Sequence, residues 1–221
     1  MKFDNKSRHL FKKLPEEIKQ YFREIDEKCK KHGITFRISG GRGLNIMNGR
    51  CSGFFSDFSK ELAIAINKPS KWILATLAHE ESHLDQWLDE NSVWYDSEAS
   101  EKFDLFFQWL NGEVELKSPQ DCARKAILIE LDCEKRTLKK IKKRWSHIIS
   151  PEDYSMSANA YMFSYLYMAE SRNWIKAKIR RKVFYRNFPK KILNKFENLS
   201  NEQLELFYKH EKAAPQTKGG F

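Results

Sequence analysis

Two histidines and a glutamate are the residues whose types and spacing most directly suggest chemistry. They stand in Trp72–Leu88, WILATLAHEESHLDQWL, which contains His79-Glu80-Glu81-Ser82-His83, a match to H-E-x-x-H. Four residues apart on a helix, His79 and His83 lie about 40° apart on one face. Both imidazoles can then reach one metal ion, and the spacing suits zinc. Glu80 points off to the side, where it can hold a water at the metal and take its proton, the role of a catalytic base. Ile73, Leu74, Leu77, Leu84, Trp87 and Leu88 recur at helical spacing with no glycine or proline between them, which predicts the helix.

A second segment, Ala126–Leu138, is also helical in pattern. It places Glu130 and Glu134 one turn apart on one face, with Cys133 just before Glu134. His79–His83 followed by Glu130-Leu131-Asp132-Cys133-Glu134 resembles the gluzincin metallopeptidases, which pair H-E-x-x-H with a second helix carrying E-x-x-x-D. Here a glutamate fills the last acidic place. Glu81 is charged where the strict form of the motif has an uncharged residue.

The resemblance implies that Glu130 is the third zinc ligand, with Asp132 a rival. It implies that Glu134 accepts a hydrogen bond from a ligand histidine and fixes its tautomer. It further implies a zinc-dependent peptidase that acts on protein or peptide, with Glu80 as general base. The chain looks like a minigluzincin over roughly residues 34–140. It is also similar to the ImmA/IrrE and SprT-like intracellular proteases, and to small predicted metallopeptidases of phage genomes. A phage origin would place it in the host cytoplasm. Zincins often steady the reaction's oxyanion with a tyrosine or histidine. Tyr161 and Tyr165, on one face of a helix expected over Tyr154–Arg172, are the expected catalytic tyrosines, and His147 is a lesser candidate.

The elements that must position these groups follow from patterning. Leu14–Lys31 is amphipathic, with Pro15 near its start and Gly33 at its end. Ile34–Ser39, Arg50–Ser56 and Glu61–Asn67 are short expected strands, and Gly40–Gly43 is a turn. Pro69-Ser70 opens the motif helix. Ser97–Leu110, a long helix from Pro119 to about Arg144, and a short helix from Ser200 to Lys212 complete the pattern. The expected class is α+β, mostly helical: a small three-stranded sheet packed on the H-E-x-x-H helix, then a helical half, as in zincins. Residues 1–172 are expected to form the peptidase domain, and 173–221 a basic helical extension. In small gluzincins an edge strand pairs with extended peptide, and Arg50–Ser56 is the candidate here.

Composition narrows the setting. Hydrophobic residues make up 41% and aromatic residues 14% of the 221, which indicates a folded globule. The first residues have no apolar core, and no apolar run approaches the roughly 18–20 residues of a membrane span. A cytoplasmic protein without membrane contact is expected. Four scattered cysteines then read as thiols in a reducing compartment, with Cys133 expected as buried filler that could face the site. The net charge of +10 is matched by ten lysines and arginines between Arg172 and Lys195, uninterrupted by an acid. They alternate with Trp174, Phe184, Tyr185 and Phe188. Cations and aromatics so interleaved can neutralise phosphates and stack bases. This gives a second expectation, nucleic-acid binding through Lys178, Arg180, Arg181, Lys182 and Arg186. The two readings combine in a protease recruited to nucleic-acid-bound substrates, or in an inactive relative with structural zinc.

Overall fold

Asp4 starts the first helix as its N-cap. Its carboxylate accepts from the Ser7 amide at 2.6 Å and from the Gly40 amide at 2.9 Å, so it ties α1 (Asn5–Lys12) to a distant glycine turn. In the computed structural model, which describes residues 1–46, 49–90, 92–175 and 182–212, a short strand β1 (Lys2–Phe3) precedes it. Helix α2 (Glu16–Lys31) begins one residue beyond Pro15. It is followed by Gly33 at φ +69°, a conformation that costs glycine little. Ile18, Tyr21, Phe22, Ile25 and Cys29 recur at three- and four-residue spacing along α2 and are all buried. Phe22 stacks on Phe36 of strand β2 (Thr35–Ser39) at 5.8 Å, which holds the helix on the sheet.

The sheet has four strands rather than the expected three. Two short strands, β3 (Leu44–Ile46) and β4 (Gly49–Cys51), pair with each other in a separate antiparallel ribbon. Strands β5 (Gly53–Ser56) and β6 (Glu61–Ala65) form a hairpin, and the main sheet runs β1-β2-β6-β5. β1 and β6 both pair parallel to β2, whereas β5 pairs antiparallel to β6 with Gly53 opposite Ile64 and Ser56 opposite Glu61. The expected strand Arg50–Ser56 is therefore two strands in two sheets. The Ser52 carbonyl, which accepts from the Ala65 amide at 2.9 Å, marks the change of partner. Leu62, Ala63, Ile64 and Ala65 are buried in succession, as a strand covered on both faces requires. Helix α3 (Ser70–Leu88) packs against β5 and β6.

The chain forms two compact units: Met1–Ser92 with Arg136–Ile149, and Val93–Lys135 with Ser150–Phe221. The second is helical. Helix α4 (Ser97–Leu110) is capped by Asp96, and α5 (Pro119–Lys140) belongs to the second unit through Lys135 and to the first from Arg136. One π-helical turn, Ile141–Trp145, carries α5 onward. Helix α6 (Pro151–Ser171) opens with Ser150 accepting from the Asp153 amide, and α7 (Lys182–Tyr185) and α8 (Asn201–Lys212) follow. Aromatic rings fill this unit's core. Phe106 stacks on Tyr165 at 5.9 Å, and Tyr167 lies almost flat on Phe207 at 4.9 Å. The molecule is α+β and mostly helical, as its patterning predicts. Among the described residues, no helix is long and apolar enough to cross a membrane.

Candidate metal centre

Helix α3 presents His79 and His83 one turn apart, with ring centroids 4.8 Å from each other and planes nearly perpendicular. Both are buried, as is Glu80. The His83 Nδ1 lies 2.8 Å from Gln86 Oε1. An amide oxygen can only accept, so Nδ1 carries the proton and Nε2 carries the lone pair a metal needs. Gln86 sits one turn beyond His83 on the same helix, so helical spacing could have identified it, yet a lone amide carries no chemical signal of its own.

Glu80 faces the sheet. A Cβ atom at Gly53 would come within 2.8 Å of both Glu80 Cγ and Thr76 Cγ2, so the β5 backbone passes directly over the glutamate. Only glycine permits that approach. Cys51 feels the same carboxylate: burial, then the charge of Glu80, pushes its thiol up to about 11.

The charged Glu81 of the motif is turned away into a network of its own. Tyr21 donates to it at 2.6 Å, and the ammonium groups of Lys28 and Lys140 lie 3.2 and 3.4 Å from it. The same two lysines hold Asp85, one turn along. Burial pulls the Lys28 ammonium down, but Glu81 and Asp85 outweigh it and the pKa rises. Ser82, fully buried, donates to the Ala78 carbonyl and receives Thr137 at 3.0 Å and Lys140 at 2.8 Å. A larger side chain there would displace the C-terminal turns of α5. Glu81 and Ser82 thus anchor the last turns of α5 to α3.

On α5, Glu130 and Cys133 share a face, three residues apart. Tyr165 and Tyr161 donate to the same Glu130 oxygen, Oε1, at 2.9 and 3.2 Å, and their hydroxyls are 3.0 Å from each other. Burial, with the charge of Glu130, pushes the Tyr165 hydroxyl well above its usual range, so it stays protonated and donates. The two tyrosines expected at an oxyanion are thus seated on the carboxylate. Glu134 accepts from the Tyr154 hydroxyl. His147 lies elsewhere, on the surface, 3.2 Å from Glu17.

His79, His83, Glu130 and Cys133 form a buried group whose potential ligand atoms all lie within 4.8 Å of one another. Asp132 and Glu134 are outside it. Two imidazoles, a carboxylate and a thiol suit a borderline-soft divalent ion, and the group could hold one.

The four aromatics of the basic segment, all among the described residues, are placed less favourably for stacking. Lys178, Arg180 and Arg181 fall outside the described residues. Lys182 and Arg186 are exposed, the former 3.6 Å from Asp153. Phe184, Tyr185 and Phe188 are buried. Trp174 is 43% exposed but lies flat on Phe107 at 5.3 Å. Three of the four aromatics expected to meet bases therefore serve the core. No disulfide joins the four cysteines. No family model, curated protein or solved structure matches the chain.

Proposed function

We propose that this protein is a zinc-dependent peptidase whose metal is held by His79, His83 and Glu130. The observation that carries the reading is the buried group of metal-ligating side chains, with Glu80 beside it on α3. Zinc bound by such donors polarises carbonyl groups and acidifies water. Glu80 takes a proton from the attacking water and returns it to the leaving amine. Gln86 fixes the tautomer that gives His83 a lone pair, and the tyrosine pair fixes Glu130. Strand β5 stands at the sheet edge and crosses Glu80 at Gly53, so an extended peptide adding to that edge would run past the base.

Elemental analysis of the purified protein tests the metal. About one zinc is expected, lost in His79→Ala; equal metal in both proteins removes the site. Glu80→Gln should keep the zinc and abolish cleavage of a diverse peptide library, because it removes the base and no ligand. Zinc without cleavage in the wild type would favour a structural metal.

A further inference from the structure

Resting on the reading that His79, His83 and Glu130 bind a divalent metal, we propose that the Cys133 thiolate is its fourth ligand. Cys133 follows Glu130 by three residues on α5, so both side chains leave the same face of the helix. It is fully buried, and its sulfur is one of the four donors within 4.8 Å of one another. Around zinc, bonds of about 2.0–2.1 Å to nitrogen and about 2.3 Å to sulfur place tetrahedral donors about 3.5 Å apart. A contraction of about 1.3 Å in the widest spacing, from 4.8 Å, gathers all four.

A buried cysteine often serves as small apolar filler. Filler needs no particular neighbours, whereas this thiol sits with two imidazoles and a carboxylate, the ligand types of a zinc site. Its sulfur binds as the thiol proton leaves to solvent, and the resulting N2OS set favours zinc or cobalt over magnesium, calcium or manganese. Cys51 stands by Glu80 but is not one of the four.

The consequence is a closed coordination shell. Structural zinc sites are closed by four protein ligands, and catalytic ones keep a position for water. With Cys133 in the fourth position the resting centre is closed, and hydrolysis requires the thiolate to leave.

Cobalt(II) titration of the metal-free full-length protein, followed by near-ultraviolet absorption, tests this without an activity assay. The wild type should bind one equivalent and develop an intense thiolate-to-cobalt charge-transfer band. Cys133→Ser, nearly isosteric, should still bind cobalt but lose the band, with affinity reduced by at least the roughly 10–100-fold that losing an outer-shell partner costs. Cys51→Ser should keep it. One equivalent bound by the wild type without the band overturns the fourth ligand alone, as does a band that survives in Cys133→Ser. No cobalt binding by either protein overturns the metal site itself.

Discussion

The two helices that carry the candidate ligand residues hold them by opposite means. On α3, His83 is braced by Gln86, a neighbour one turn along the same helix. On α5, Glu130 is braced by Tyr161 and Tyr165, which arrive from α6 more than thirty residues later. The first arrangement exists whenever α3 is helical. The second exists only when the aromatic core packed around Phe106 and Tyr165 has formed. His83 is therefore oriented by local structure and Glu130 by tertiary packing, so unfolding of the helical unit should release Glu130 first.

The greatest effect is expected from Glu130→Gln. It keeps the shape and loses the anion, and should strip the metal; zinc retention at wild-type stoichiometry would remove Glu130 from the site. A smaller effect separates the two kinds of bracing. Tyr165→Phe and Gln86→Ala should each weaken zinc binding by roughly 10–100-fold. Under mild urea the Tyr165→Phe defect should grow while the Gln86→Ala defect holds constant, measured by competition with a chelating dye. Parallel behaviour of the two would erase the distinction between local and tertiary bracing.

Gly53→Ala comes next. Its methyl group would press on Glu80 and Thr76 at 2.8 Å, at a cost of about 1–3 kcal/mol from overpacking. Metal content should stay near one, since no ligand moves, and peptide hydrolysis should fall. A protein that sheds its metal yet keeps an intact base would contradict this placement.

The network behind α3 predicts a pH effect. Burial would raise the Asp85 carboxyl, but Lys140 and Lys28 outweigh it and hold it below its usual 3.8. A lowered native value stabilises the fold above that pH, and the contribution is lost as the pH falls below it. Asp85→Asn should cost about 1–2 kcal/mol near neutrality, and the gap to wild type should close in acid. Urea midpoints at pH 7 and pH 3 measure it; a constant gap would show that the charge is not the source. The smallest effect concerns the basic segment. Any affinity for single-stranded DNA should be electrostatic, and replacing Lys182 and Arg186 with serine should lower the salt slope by about one for each phosphate no longer neutralised. Fluorescence anisotropy at two salt concentrations reads this, and an unchanged slope leaves both as ordinary surface.

Much of the centre was legible in the sequence because a helix is periodic. The four-residue spacing of His79 and His83, the apolar stripe of α3 and the run from Pro119 each need only neighbouring residues to be interpreted. The split of Arg50–Ser56 between two sheets was not legible, since strand partners are chosen by segments far away, here β3 for one half and β6 for the other. The burial of the basic segment's aromatics was not legible for the same reason. A phenylalanine next to a lysine looks available to a base until Phe184 and Phe188 are found against Phe207 and Phe163.

By itself the sequence determined the mostly helical class and the helical spacing of His79 with His83 and of Glu130 with Cys133, because side-chain periodicity and donor chemistry are local properties. Only the tertiary structure decided that Glu81 turns into a lysine network, that Gly53 covers Glu80, that two tyrosines grip Glu130 and that Cys133 joins the group of potential ligands. Each of those depends on which face of one element meets another. That choice is made by burial of apolar area summed over the whole unit, which no short stretch of sequence records.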